Sequence, residues 1–277
     1  MRAYVINLPA STRRRQQIED QLTRAGLSYE FVEAVDGMRL TASERAGLVD
    51  EQRVAASPRW LTQQAIGCAL SHRRVYQRIV EEEEAAALVL EDDAVLLGGM
   101  AELAHDISQH MHPCEVVLLY FQSFKPCRLS EQDAVSVGRY RLLYPMDVRQ
   151  LIGAVAYVVS HGAARSLADA IVPVRAAADS WGHYHELGML DSLRCVFPRP
   201  VAHTSIESTL GYGSHSSVRR RLKQLTGWPI PQLRALNRRR IGRNMTRVRL
   251  VREAAPLALN LSREQRLERS RNADDRG

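Results

Sequence analysis

Three consecutive acids, Glu91-Asp92-Asp93, follow the unbroken apolar run Ala86-Ala87-Leu88-Val89-Leu90. A run of that length without polar alternation reads as a central strand covered on both faces, so the acids leave the carboxyl end of a buried strand. Neighbouring carboxylates in a dry place repel one another, and each would sooner protonate than stay ionised. A bound divalent cation relieves that conflict. Hard oxygen ligands suit Mg²⁺ or Mn²⁺, and such an ion can bridge a pyrophosphate and stabilise its charge as it leaves. In open α/β sheets ligands bind beyond the carboxyl ends of strands, which is where these acids fall. The competing reading is a polar loop that caps the next helix.

The elements around the acids read as an alternating α/β chain. Ala3-Tyr4-Val5-Ile6-Asn7 is a short apolar run of β-formers ending in Leu8-Pro9. Ser11 is placed to cap a helix carrying Ile18, Leu22 and Ala25 at helical spacing, and Gly26 stands where a helix end wants a positive φ. Tyr29 to Val35 supplies a second strand, closed by Asp36-Gly37. Helices are expected from Thr41 to Glu51, Thr62 to Glu83 and Met100 to Met111. Strands are expected at Glu115–Tyr120 and Gly153–Val159. Ser160 then caps a helix running through Ile171 and ended by Pro173. The run Glu81-Glu82-Glu83-Glu84 reads as a solvated helix end. Strand, helix, strand at the start predicts an α/β sheet with helices on its faces.

The net charge of +7 is unevenly spread. Ser208 to Arg252 holds twelve basic residues and no acid, so the rest of the chain sums to −5. The division expected is a compact domain over 1–213 and a basic extension of short helices over 214–277, frayed from about Ser262. That extension suits an anionic partner: nucleic acid, an anionic membrane leaflet or a phosphorylated glycolipid. Aromatic interleaving there is confined to Trp228, which disfavours nucleic acid. Neither a G-x-G-x-x-G nor a G-x-x-x-x-G-K-[ST] fingerprint is present, which disfavours dinucleotide oxidoreductases and P-loop enzymes. Cys68, Cys114, Cys127 and Cys195 are scattered, which fits reduced thiols better than a disulfide framework or a zinc site. No apolar run approaches a membrane span, and the apolar start is too short for a secretory signal. The expectation is a cytoplasmic protein with peripheral contact at the inner face of the cell membrane.

Several blocks, in order, resemble glycosyltransferase family 25, which includes lipooligosaccharide and collagen galactosyltransferases. The blocks begin with Tyr4-Val5-Ile6-Asn7-Leu8 followed by Arg13 and Arg15, and continue with Phe31-Val32-Glu33-Ala34-Val35-Asp36-Gly37. The strongest are Ile66-Gly67-Cys68-Ala69-Leu70-Ser71-His72 and Leu88-Val89-Leu90-Glu91-Asp92-Asp93. Gly153 with Ala156-Tyr157-Val158-Val159-Ser160, then Asp179, Pro198 and Glu207-Ser208-Thr209 complete the set. The likeness covers about Met1 to Leu210.

This resemblance implies a GT-A-like, Rossmann-like fold, a UDP-sugar donor such as UDP-galactose, and transfer with inversion to a lipooligosaccharide or lipopolysaccharide-type acceptor. Glu91 and Asp93 would stand for a D-x-D-like metal pair holding Mn²⁺ or Mg²⁺, with Asp92 between them. Asn7, Leu8, Arg13 and Asp36 lie where the first strands of such folds meet the nucleotide, and Gly67, Ser71 and His72 are placed near the donor. For Arg13 and Arg15 the alternative is a solvated helix start, although cations in a first turn oppose the helix dipole. Inversion requires a carboxylate base, for which Asp179 is the first choice and Asp191 and Glu186 are rivals. A capping role for Asp179 and a packing role for His72 stay open. A late histidine, His203 or His215, could complete the metal shell. Core packing is the expected role of Trp181 and Tyr184, with stacking on a sugar ring as the alternative. Two other functions compete: a metal-dependent nucleotidyltransferase, which would release pyrophosphate instead of nucleoside diphosphate, and a nucleic-acid-binding protein.

Overall fold

A computed structural model describes residues 1–123, 125–203 and 247–256. In chain order the elements are β1 (Ala3–Asn7), α1 (Thr12–Arg24), β2 (Tyr29–Glu33), α2 (Ala42–Arg45), α3 (Glu51–Ala56), α4 (Gln63–Glu81) and β3 (Ala86–Glu91). Next come β4 (Ala94–Leu96), α5 (Met100–Gln109), β5 (Glu115–Leu118), β6 (Gln122–Ser123), β7 (Cys127–Val137), β8 (Tyr140–Pro145) and β9 (Leu151–Ile152). The described chain ends with β10 (Ala156–Ser160), α6 (His161–Ala170), α7 (Trp181–Glu186), β11 (Ser192–Phe197), β12 (Val201–His203) and β13 (Val248–Val251).

Nine strands form one mixed sheet in the order β13-β7-β8-β11-β5-β10-β3-β1-β2, and β4 with β12 and β6 with β9 form two small ribbons. β1 lies parallel between β2 and β3, and β10 runs antiparallel between β3 and β5. Because side chains alternate across a strand, the sheet divides the core in two. Tyr4, Ile6, Val89, Tyr157 and Val159 pack with α4, α6 and α7 on one face. Ala3, Val5, Leu88, Leu90, Ala156 and Val158 pack with α1 and α5 on the other. The fold is therefore α/β, with a mixed sheet flanked by helices as in GT-A-like, Rossmann-type proteins.

Local rules explain most boundaries. Thr62 caps α4 by accepting from Ala65 N, and Ser160 caps α6 by accepting from Ala163 N. Ser11 sits at the N-cap of α1 but makes no side-chain cap bond. The helix expected from Thr41 to Glu51 is instead two pieces. A capping box of Thr41 and Glu44 starts α2, Gly47 at φ +81° breaks the path, and Asp50 caps α3 afresh. Most of the basic extension drawn over 214–277 lies outside the described residues. Within it, Val248–Val251 pairs in parallel with Cys127–Ser130 at the sheet edge.

One close approach sets the wall of the cavity described below. A Cβ on Gly67 would lie 2.5 Å from both the Gly37 nitrogen and the Val35 carbonyl oxygen, so α4 docks backbone to backbone on the loop after β2. The Ser71 hydroxyl reinforces the dock, accepting from Val35 N at 2.8 Å and donating to Gly67 O at 2.7 Å. Gly67, placed near the donor by the family resemblance, makes its close approach to the 35–37 backbone. Gly67→Ala must push these elements apart and should lower stability by about 1–3 kcal/mol. Urea unfolding checks this, and an unchanged midpoint would contradict it.

Candidate active site

The carboxyl ends of β1, β2 and β3 open onto a cavity of about 1310 Å³. Glu91 is the last residue of β3, and Asp92-Asp93 turn into β4. β4 pairs with β12 so that His203 stands opposite Ala94, and this brings the His203 ring to Asp93, with Nε2 3.3 Å from Oδ2. Glu91, Asp92, Asp93 and His203 all line the cavity.

The three acids have different surroundings. Glu91 Oε1 is 3.3 Å from His72 Nε2 and 3.9 Å from the Cys68 thiol, which donates to it. His72 is fully buried, and its Nδ1 is 2.7 Å from the Tyr157 hydroxyl, itself 2.7 Å from the Tyr76 hydroxyl. Asp92 is turned into the protein, where it accepts from Asn7 Nδ2 at 2.8 Å and Arg14 Nη1 at 3.1 Å. Asp93 Oδ2 is 3.8 Å from the same Arg14 nitrogen. Burial raises the Asp92 carboxyl above its ordinary range despite the lowering effect of Asn7 and Arg14. The bond to Asp93 raises the His203 imidazole, which favours its charged form.

Asp179 lies on the same cavity, close enough for its charge to act on Cys68. Its Oδ2 accepts from Gly153 N at 2.9 Å, and Trp181 Nε1 donates to Gly153 O at 3.1 Å. A φ of +102° lets Gly153 present its N–H this way. Burial raises the Asp179 carboxyl above its usual range, with the Gly153 N–H opposing. Of its rivals, Glu186 lines the cavity in an ion pair with Arg149, whereas Asp191 is exposed and not part of the lining.

The other sequence candidates divide clearly. Leu8, Asp36 and Ser71 line the cavity; Asn7 sits just behind it, holding Asp92. Arg13 is exposed and does not line it. Helical rotation turns Arg14, one residue on, toward the acids, while Arg15 lies over the Phe31 ring at 3.8 Å. His72 stands behind the wall on Glu91. Trp181 and Tyr184 are core residues, and Tyr157 meets Trp181 edge to face. The aromatic that does line the cavity with its ring accessible is Trp60, 53% exposed, which the sequence pattern had not singled out. His215 and Glu207-Ser208-Thr209 lie outside the described residues.

The residues present fit a hard divalent cation. Glu91, Asp93 and His203 put two carboxylates and an imidazole on the cavity wall, with Asp93 and His203 in contact at 3.3 Å. Asp92 belongs to the support of this set: its oxygens are taken by Asn7 and Arg14.

An acidic cluster at the carboxyl edge of a GT-A-like sheet, above a large cavity, is the arrangement of a group-transfer site. The chain belongs to glycosyltransferase family 25 (LPS biosynthesis protein), whose family model matches residues 1–181. It is 36% identical over 94 residues to human procollagen galactosyltransferase 2, covering 32% of this chain and 15% of that protein. It is 25% identical over 168 residues to lipooligosaccharide biosynthesis protein lic2B of Haemophilus influenzae, covering 59% of this chain and 61% of that one. A probable inactive glycosyltransferase 25 family member 3 of Bos taurus is 27% identical over 172 residues, covering 59% and 28%. The chain thus spans less than two thirds of the length of each of these relatives. Among the described residues, no helix is long and apolar enough to cross a membrane.

The contrast between neighbouring arginines is testable. Arg14→Gln removes a charge-assisted bond from the mostly buried Asp92, worth about 1.5–3 kcal/mol near neutral pH. The folded-state pKa of Asp92 is already raised, and losing Arg14 raises it further, so the added cost is absent at low pH and appears as the pH climbs through that raised value, where the wild-type carboxyl ionises and the variant's does not. Arg13→Gln, on an exposed side chain, should change stability by less than about 0.5 kcal/mol. Urea unfolding of both variants from pH 4 to 7 checks this, and equal effects would contradict it.

Proposed function

We propose that the chain is a metal-dependent inverting glycosyltransferase that moves a hexose, galactose from UDP-galactose, onto a lipooligosaccharide or lipopolysaccharide-type acceptor. The observation that carries this reading is the convergence of Glu91, Asp93 and His203 on one cavity with the partly buried Asp179. Galactose is taken from the printed name of the procollagen relative, and the acceptor class from that of lic2B.

Glu91, Asp93 and His203 would hold Mn²⁺ or Mg²⁺, which when bound offsets the charge of the departing nucleoside diphosphate. The protein's own part is arrangement. Asn7 and Arg14 fix Asp92 and, through Arg14, the neighbouring Asp93; His72 fixes Glu91 from behind. Leu8, Asp36 and the loop after β2 form the wall on which the nucleotide would lie, and Trp60 offers an accessible ring face. Asp179 takes the proton of the attacking acceptor hydroxyl. Its raised basicity suits that role, and the Gly153 N–H holds one oxygen so that the other can face substrate. The basic segment 208–252 would meet an anionic leaflet, where each Lys or Arg contributes about 1 kcal/mol, screened by salt.

A screen of sugar nucleotides with Mn²⁺, read by release of nucleoside diphosphate, tests the reading. UDP-galactose should turn over, and Asp93→Asn should stop turnover while leaving the fold intact. Pyrophosphate release would point to a nucleotidyltransferase instead, and full turnover by Asp93→Asn would remove the metal role. The base is tested by pH. A base acts only when ionised, so kcat/KM should fall as the pH drops through a value above about 3.9, the ordinary aspartate. Asp179→Asn should lower turnover by about 10²–10⁴ and abolish that acid limb. An unchanged limb in the variant would assign the base elsewhere.

A further inference from the structure

We infer that Cys68, His72 and Glu91 form a binding site for a borderline-soft transition metal of the zinc type, distinct in chemistry from the carboxylate set. A spacing of four residues puts Cys68 and His72 on one face of α4, turned toward the end of β3. Cys68 Sγ, His72 Nε2 and a Glu91 carboxylate oxygen all lie within 4.8 Å of one another. This is a trio from two elements and three chemistries, not a run of surface acids.

Without an ion the three groups are joined by hydrogen bonds, and their separations also suit a cation. In a tetrahedral site with Zn–S of about 2.3 Å and Zn–N or Zn–O of about 2.0–2.1 Å, the ligand-to-ligand edges are about 3.3 Å for nitrogen to oxygen and about 3.6 Å for sulfur to oxygen. The corresponding separations are 3.3 Å for His72 Nε2 to Glu91 Oε1 and 3.9 Å for Cys68 Sγ to the same oxygen. A good N–H···O bond is shorter, about 2.9–3.0 Å. Two edges of the trio are within about 0.3 Å of those a metal would demand, and the third, from Cys68 Sγ to His72 Nε2, is no longer than 4.8 Å.

The surroundings complete a site of this kind. A metal-ligating imidazole uses its second nitrogen on an outer partner, which fixes the ring and its tautomer. His72 Nδ1 does this with the Tyr157 hydroxyl at 2.7 Å, backed by Tyr76, all three residues being buried. When an ion binds, donation of the Nδ1 proton to Tyr157 leaves the Nε2 lone pair for the metal in place of the direct contact with Glu91. Those two ligands line the cavity, so an ion has a path in and a fourth position open to water or a ligand. Thiolate and imidazole select Zn²⁺, Co²⁺ or Cd²⁺ over Mg²⁺. On binding, the Cys68 S–H bond breaks, the sulfur pair goes to the metal and the proton leaves to solvent. All four cysteines are free thiols, as the sequence leads one to expect, and the proposal adds a ligand role for Cys68. Because Glu91 belongs to both sets, the soft and hard sites draw on one carboxylate.

Titration of the full chain with Co²⁺ in Mg²⁺-free buffer tests the assignment without reference to activity. Uptake of one equivalent should bring a thiolate-to-cobalt charge-transfer band in the near ultraviolet and intense tetrahedral d–d bands, both displaced by Zn²⁺. Cys68→Ser should lose the charge-transfer band, and His72→Asn should weaken binding by about tenfold or more. Circular dichroism establishes that each variant is folded, and Glu91→Gln on the cavity side provides an independent third arm. Absence of uptake, cobalt bound without thiolate absorption, or a band unchanged in Cys68→Ser would each overturn the site.

Discussion

The interaction on which everything else depends is the repulsion among three adjacent carboxylates where a buried strand ends. The protein answers it differently for each one. Asp92 is drawn inward onto Asn7 and Arg14, Asp93 is shared between Arg14 and His203, and Glu91 is backed by His72. Each partner comes from a different part of the chain: β1, α1, α4 and β12 all converge on the end of β3. The close docking of α4 on the loop after β2, possible because residues 37 and 67 are glycines, lets the helix reach both the cavity wall and Glu91. Fold and site are thus one construction, with the sheet edge as its foundation.

Charge and burial then divide the labour. Asp92 and Asp179 are both pushed toward protonation by burial, but for opposite ends. Asp92 spends its oxygens on an amide and a guanidinium and serves as support. Asp179 has one oxygen steadied by a backbone N–H, which suits a proton acceptor. Side by side with the hard carboxylate set, Cys68 and His72 introduce soft ligands against the same Glu91. One acid at the junction of two ligand sets offers a route by which different metals could compete for the same cleft.

Much of this was legible in the sequence where one physical signal dominates. The apolar run 86–90 and the acids after it declared a buried strand with a charged end, and Ser160 declared a helix start through its capping oxygen. The signal failed where competing rules met. Gly47 broke a helix that periodicity alone would have carried through to Glu51. The β7 and β8 ribbon and β11 were not foreseen, since their polar and apolar residues are set by a sheet edge assembled from distant segments. Arg13 and Arg14 differ only in which face of a helix they occupy, a rotation that adjacent identical residues do not reveal. His203 reaches Asp93 only because β12 pairs with β4, and no local pattern near residue 203 encodes that partner. Trp181, by contrast, is fully buried, the core role that the sequence favours over stacking on a sugar ring.

The central claim is that the acids at the end of β3 gather a divalent cation and a diphosphate into one pocket. Electron paramagnetic resonance of free Mn²⁺, titrated with protein in the presence and absence of UDP, measures this directly. One ion should bind per chain, more tightly with UDP than without, and binding should be lost in both Glu91→Gln and Asp93→Asn. Mn²⁺ binding that ignores UDP, or that persists in both variants, would contradict it.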